Sequence, residues 1–145
     1  MKTNTSTSLE ETRARLSTLW VFVMLNMIFA DIFSFMYPGF LKQVMAGNAD
    51  GTQVTPVFLM IAAMVTEISI AMVFLSRLLN YKANRWTNII GAVITILWVI
   101  GGGSTTLHYI FFATIEVLCS LAIIWLAWTW RKPEIQPVYP YAQAN

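Results

Sequence analysis

Four long apolar runs divide this chain, and its turn-forming residues fall almost entirely between them. A helix crossing about 30 Å of hydrocarbon needs roughly 20 predominantly apolar residues. The runs at residues 16–37, 55–76 and 107–130 reach that length. The run at 86–100 is shorter and closes on Gly101-Gly102-Gly103, where glycine permits the dihedrals of a tight turn. This pattern predicts an all-α polytopic membrane protein, a four-transmembrane-helix bundle, with residues 1–145 as a single membrane domain.

Local signals frame the runs. Ser8-Leu9-Glu10-Glu11 has the capping-box spacing, which predicts a helix start ahead of the first run, and Pro38-Gly39 stops that helix. The leader is long and polar, the run exceeds the usual apolar region of a signal peptide, and no small-residue cleavage site follows, so a retained helix is expected. Pro56 suits the first turn of the second helix, where its missing N–H is not needed. Ser104, Thr105 and Thr106 all qualify as caps for the fourth. In the longest connection, Phe40-Leu41-Lys42-Gln43-Val44-Met45 has the character of a short interfacial helix ahead of the turn signal Asn48-Ala49-Asp50-Gly51. It is either a lid or an ordinary surface loop. Residues 1–7 and the proline-containing stretch 133–145 are expected as mobile tails.

Basic residues orient the spans. Eight of the nine Lys and Arg residues flank the start of the first run, the second-to-third connection or the end of the fourth run, and only Lys42 lies in the other connections. The positive-inside rule then predicts cytoplasmic termini and an inner-membrane, multi-pass location of bacterial type. Trp20, Trp86, Trp128 and Trp130 fall near the cytoplasmic ends, and Tyr37, Trp98 and Tyr109 near the outer ends, where aromatic residues commonly anchor.

Composition agrees and narrows the function. Apolar residues make up 57% and charged residues 11%, against about a quarter charged in soluble domains. Little chain remains for a soluble catalytic domain, and no catalytic residues are assigned. The net charge of +2, without a free basic patch, argues against nucleic-acid partners. Cys119 is the single cysteine and reads as a small buried hydrophobe. Metal, redox and nucleotide motifs such as Cys-x-x-Cys, His-Glu-x-x-His and the Walker loop are absent from the sequence, so no cofactor is named.

The candidate chemistry lies in three acids, Asp31, Glu67 and Glu116, each inside a different apolar run that holds no Lys or Arg. A charged side chain at the bilayer centre costs about 2.5 to 3.5 kcal/mol on insertion scales, and such residues normally face a protein interior. At 1.5 Å per residue Asp31 lies about 9 Å from the outer end of its helix, Glu116 about 13 Å and Glu67 about 18 Å. Ala62, Ala63, Thr66 and Ser69 surround Glu67, and Ala113, Glu116, Ser120 and Ala127 form a stripe of small and polar residues. Both glutamates are therefore expected to point inward. Met24, Met27, Asp31 and Ser34 share a face, with Asn26 nearby. Asp31, Glu67, Glu116 and Asn26 are the candidates for binding a ligand or a proton.

Several uses remain open for this set. The acids equip a site for a cation, a proton or a small polar solute, with transport as one use. Alternatively they are neutral and hydrogen-bonded to backbone carbonyls, Asn26, Thr66, Asn88 or Thr114, in a non-enzymatic accessory or structural subunit. A metal site would recruit His108, but His108 and Glu116 lie two helical turns apart, about 12 Å, too far to share one ion. A pocket for an organic substrate or quinone completes the set. No internal duplication is visible, so a transport path would call for a homo-oligomer in the lipid bilayer.

The run Leu16-Ser17-Thr18-Leu19-Trp20-Val21-Phe22-Val23-Met24-Leu25-Asn26, followed by Ala30-Asp31 and Pro38-Gly39, resembles the opening of an uncharacterised family of small bacterial four-helix membrane proteins. The likeness covers the chain in length and span layout and carries Asn26 and Asp31 over by motif, with Glu67 and Glu116 matched by placement. A more distant similarity, in span count and size, is to DoxX-like membrane proteins, some associated with quinone-linked oxidoreductases. It implies an oxidoreductase membrane component as a further reading.

Overall fold

The computed structural model describes residues 3–130, with side chains from Ser8 onward. Lys2, Arg131, Lys132 and the tail expected from residue 133 lie outside the described residues. In chain order the elements are α1 (Thr3–Met36), α2 (Phe40–Met45), β1 (Asn48–Ala49), β2 (Thr52–Gln53), α3 (Pro56–Leu78), α4 (Tyr81–Gly101) and α5 (Leu107–Thr129). The segments Ser8–Met36, Pro56–Leu78, Tyr81–Gly101 and Leu107–Thr129 are long and apolar enough to cross a membrane, and they point to a multi-pass membrane protein.

Helix boundaries follow local chemistry. α1 begins at Thr3, so the stretch expected as a tail is helical from there and Ser8 lies inside the helix rather than capping it; its carbonyl accepts from the Thr12 hydroxyl at 3.1 Å. The Thr55 hydroxyl accepts from Phe58 N–H at 3.1 Å and Pro56 opens α3, satisfying one amide that has no partner within the helix. α4 starts at Tyr81, earlier than the apolar run, because Asn80 caps it by accepting from Ala83 N–H at 3.1 Å. Thr106 occupies the cap position of α5 without a side-chain capping bond.

The expected short helix is α2, and the turn signal after it closes a β-hairpin that the apolar pattern did not foretell. Asn48 pairs with Gln53 and Ala49 with Thr52. Asp50 and Gly51 both have positive φ, 48° and 88°, as the two-residue hairpin turn of the right twist requires. The Asn48 side chain steadies the turn by accepting from Gly51 N–H at 2.8 Å.

In cross-section the long helices form a square in the order α1, α3, α4, α5, with α1 diagonal to α4. Packing differs between the two ends. The end carrying Arg13, Arg77 and Arg85, here the basic end, holds the large buried side chains Leu16, Trp20, Met72 and Ile123. Toward the hairpin end the buried apolar residues are small: Ala30, Val65 and Val99. Most of the buried side-chain bulk therefore lies in the basic half.

Trp20 accounts for much of that difference. It is fully buried and crosses the diagonal toward α4, donating from Nε1 to Asn88 Oδ1 at 2.7 Å. It is thus a core residue, in place of the interfacial anchor its position suggested. Gly91 makes room for it: a Cβ there would stand 3.3 Å from Trp20 Cη2. Trp130 is also buried, against Tyr81, whose hydroxyl donates to the Trp130 carbonyl at 2.6 Å. Trp86 and Trp128 are exposed, with the Arg85 guanidinium 5.2 Å above the Trp128 ring.

Candidate functional site

α5 turns one narrow face to the bundle interior, and its buried residues Glu116, Ser120, Ile123 and Ala127 recur at helical spacing. Glu116 is only 3% exposed, so the inward direction expected for it holds. Two turns toward the hairpin end Tyr109 lies on the same face, with its hydroxyl donating to the Val99 carbonyl on α4 at 3.0 Å.

Asp31 meets this face from α1. It shares a helical face with Met27 and Ser34, as expected, but lies toward the hairpin end next to the buried Ala30 and is itself exposed. Asp31 lies within electrostatic range of Glu116, and both lie within range of Tyr109. The α1–α5 contact thus gathers two carboxyls and a phenol. Nearer the hairpin end, His108 Nε2 stands 3.3 Å from Ser34 Oγ and 3.4 Å from Thr106 Oγ1, and its ring packs on Tyr37 at 5.7 Å between centroids.

The other two candidates lie apart. On α3 the buried face is Val65, Ser69, Met72 and Ser76. Glu67 falls two residues from both Val65 and Ser69, which puts it on the opposite, exposed side of the helix. The expectation that it points into the bundle is thereby corrected: small residues occur on both faces of α3, and the serines select the inner one. Asn26 is about 140° around α1 from Asp31. Its side chain donates back to the Phe22 carbonyl at 2.8 Å.

The partners proposed for neutral acids are engaged elsewhere. Thr66 and Thr114 donate to the carbonyls of Ala62 and Ile110, at 3.0 and 2.7 Å. Asn88 accepts from Trp20 and, at 3.1 Å, from Ser76, and it donates to Asn84. Among the described residues, no hydrogen bond reaches the carboxyl of Asp31, Glu67 or Glu116. One turn from Glu116 on the same inner face, Ser120 is fully buried and its hydroxyl has no partner among the described residues. Its place was legible in the stripe of small and polar residues; that it leaves its own helix's carbonyl unused was not.

An open groove of about 430 Å³ runs over α4 and α5 past Val99, Gly103, Tyr109 and Ala113, and neither Asp31 nor Glu116 lines it. It belongs to the bundle's outer surface. No three His, Cys, Asp or Glu side chains among the described residues converge as a metal site would require.

Four apolar helices around a partly polar interior define the class: a multi-pass helical membrane protein. Within it, the chain belongs to DUF6326, a family of unknown function, whose model matches residues 7–137. No curated protein and no solved structure matches the chain.

Proposed function

We propose that this protein binds, and in a membrane translocates, a cation, a proton or a small polar solute through an acidic site between α1 and α5 in which Asp31 and Glu116 are the binding groups. What supports this reading is their placement on the two packed helices α1 and α5 within electrostatic range, one exposed and one buried, without a hydrogen-bond partner among the described residues. Two carboxyls in mutual electrostatic reach repel one another when charged, and a cation or shared proton between them relieves that repulsion. The buried Ser120 hydroxyl adds an uncharged oxygen one turn deeper. Placing the chain in a bacterial inner membrane, with the hairpin end outside and the basic end cytoplasmic, follows the distribution of Lys and Arg and opens the exposed Asp31 to the outer side.

The rival reading, an accessory subunit with neutral hydrogen-bonded acids, has less support, because no hydrogen bond among the described residues reaches the carboxyl of Asp31, Glu67 or Glu116. Flux of protons and of monovalent cations into proteoliposomes separates the two. The wild type should conduct at least one of them, and Asp31→Asn and Glu116→Gln should each abolish it while leaving the helical fold intact. Wild-type vesicles no leakier than empty ones, with no cation bound in equilibrium dialysis, would refute the proposal.

A further inference from the structure

Trp20 and Asn88 meet across the bundle, on helices α1 and α4 that run in the same direction. Seven residues further along their helices lie Met27 and Thr95, both about 10 Å nearer the hairpin end and therefore at one depth. α3 joins them there, because Ser69 Oγ donates to Met27 Sδ at 3.7 Å. α5 is placed by Phe112, whose ring stands 5.6 Å from that of Phe33. Met27 lies about 9 Å from Phe33 toward the basic end, and Glu116 and Ser120 lie about 6 and 12 Å from Phe112 in the same direction, one on either side of that depth. Ser69, Thr95 and Ser120 are fully buried and Glu116 nearly so. The four make a polar layer inside the bundle, with Val65 and Val99 one turn away toward the hairpin and Met72 and Ile123 about a turn away toward the basic end.

The oxygens of this layer are left as acceptors. The Thr95 hydroxyl donates to the Gly91 carbonyl at 3.0 Å and the Ser69 hydroxyl to the Met27 thioether, so each oxygen keeps its lone pairs. The buried Ser120 hydroxyl has no partner among the described residues, and no hydrogen bond among them reaches the Glu116 carboxyl. Buried polar groups are normally satisfied, and two unsatisfied ones a turn apart on one inner face point to a bound ligand. The chemistry of the layer selects its class. Asp31 is exposed and one turn nearer the hairpin than Met27, which leaves Glu116 as the one carboxylate inside. One negative charge balances a monovalent cation, whereas a divalent ion would leave a net charge buried. A proton would occupy the carboxyl alone and give the three hydroxyl oxygens nothing to do. Hard oxygen donors suit hard cations.

Resting on the reading of Asp31 and Glu116 as binding groups, we infer that the bound species is a bare alkali-metal cation, held inside the bundle by the Glu116 carboxylate and the hydroxyl oxygens of Ser69, Thr95 and Ser120. Asp31 stands at the exposed approach to it.

Binding of radiolabelled sodium and of rubidium, a stand-in for potassium, to the full-length protein in lipid nanodiscs tests it, in alkaline buffer where protons do not compete. At least one of the two should bind saturably. Ser120→Ala and Thr95→Val each remove one oxygen and little volume, and each should weaken that binding by about tenfold. Thr95→Ser keeps the oxygen, and Thr114→Val alters an exposed hydroxyl of α5 at nearly the same depth; both should stay near wild type. Circular dichroism confirms that each variant folds. Binding lost in Asp31→Asn and Glu116→Gln but unchanged in Ser120→Ala and Thr95→Val would overturn the inference and leave the reading of the two acids standing. So would a proton flux that depends on those acids without binding of either alkali ion. Equal weakening in Thr95→Ser and Thr95→Val would also overturn it, because the oxygen would then not be what matters. Neither ion bound and no flux of any kind would sink both.

Discussion

The indole N–H of Trp20 on α1 donates to Asn88 Oδ1 on α4 at 2.7 Å, tying together the two helices that stand diagonally across the bundle. The bond is one member of a closed network. Asn88 also accepts from Ser76 on α3 at 3.1 Å, and Asn84 donates to the Ser76 carbonyl at 2.6 Å. Three helices are thus joined by polar groups that are all fully buried. Trp20→Phe should cost about 1 kcal/mol, the net value of one such bond. Asn88→Ala strands the Trp20 N–H and the Ser76 hydroxyl, and should cost about 2 to 3 kcal/mol. Reversible unfolding in mixed detergent micelles measures both; equal losses would mean that the asparagine has no role beyond its bond to Trp20.

Gly91 is where that tryptophan passes closest to a neighbouring backbone. A Cβ would meet Trp20 Cη2 at 3.3 Å and Ile68 Cγ2 at 3.4 Å, contacts that small side-chain movements relieve. Gly91→Ala should therefore fall within about 1 kcal/mol of wild type, its gain in helix propensity offsetting the crowding. Gly91→Leu has no space and should cost about 3 kcal/mol, with a change in tryptophan fluorescence as the indole is displaced.

Flux provides a third check, through the contrast among the acids. Asp31→Asn and Glu116→Gln remove the two groups proposed to form the α1–α5 site, and each should abolish transport in proteoliposomes. Glu67→Gln should leave transport at the wild-type rate, because Glu67 faces away from that site. Loss of flux in Glu67→Gln with retention in the other two would exchange their roles.

The hairpin gives a local prediction. Gly51 has φ of 88°, a left-handed conformation that costs an L-residue about 1 to 2 kcal/mol. Gly51→Val should speed amide exchange at Val54, whose N–H donates to the Gly47 carbonyl at 2.9 Å, and leave the exchange of α4 unchanged. Asp50→Asn should be silent, since asparagine tolerates the same backbone conformation.

The four long helices were legible in the sequence because apolar runs of that length have few alternatives, and the short helix Phe40–Met45 was legible from its place beside a turn signal. Rotation about the helix axes was harder to read. α5 carries its small and polar residues on one face, so Glu116 was correctly turned inward. α3 has Ala63 and Ala71 on one side and Ser69 and Ser76 on the other, and residue size alone does not choose between them. Trp20 misled for a related reason: its depth in the chain suits an interfacial ring, and only the space above Gly91, distant in sequence, shows that it turns inward. The likeness to an uncharacterised family is met by the match to DUF6326, whereas the DoxX-like similarity, resting on span count and size, has no counterpart among the matches.

The uneven distribution of buried bulk gives the two ends of the bundle different freedom to move. Tryptophan, asparagine and the large aliphatic side chains fill the space between the helices at the basic end, while smaller residues line their contacts toward the hairpin. A change in the spacing of α1 and α5 is therefore easiest at the hairpin end, where bonds at the basic end need not break. Asp31 lies toward that freer end and Glu116 deeper in the bundle, so the distance between the two carboxyls is the quantity such a motion would alter most directly.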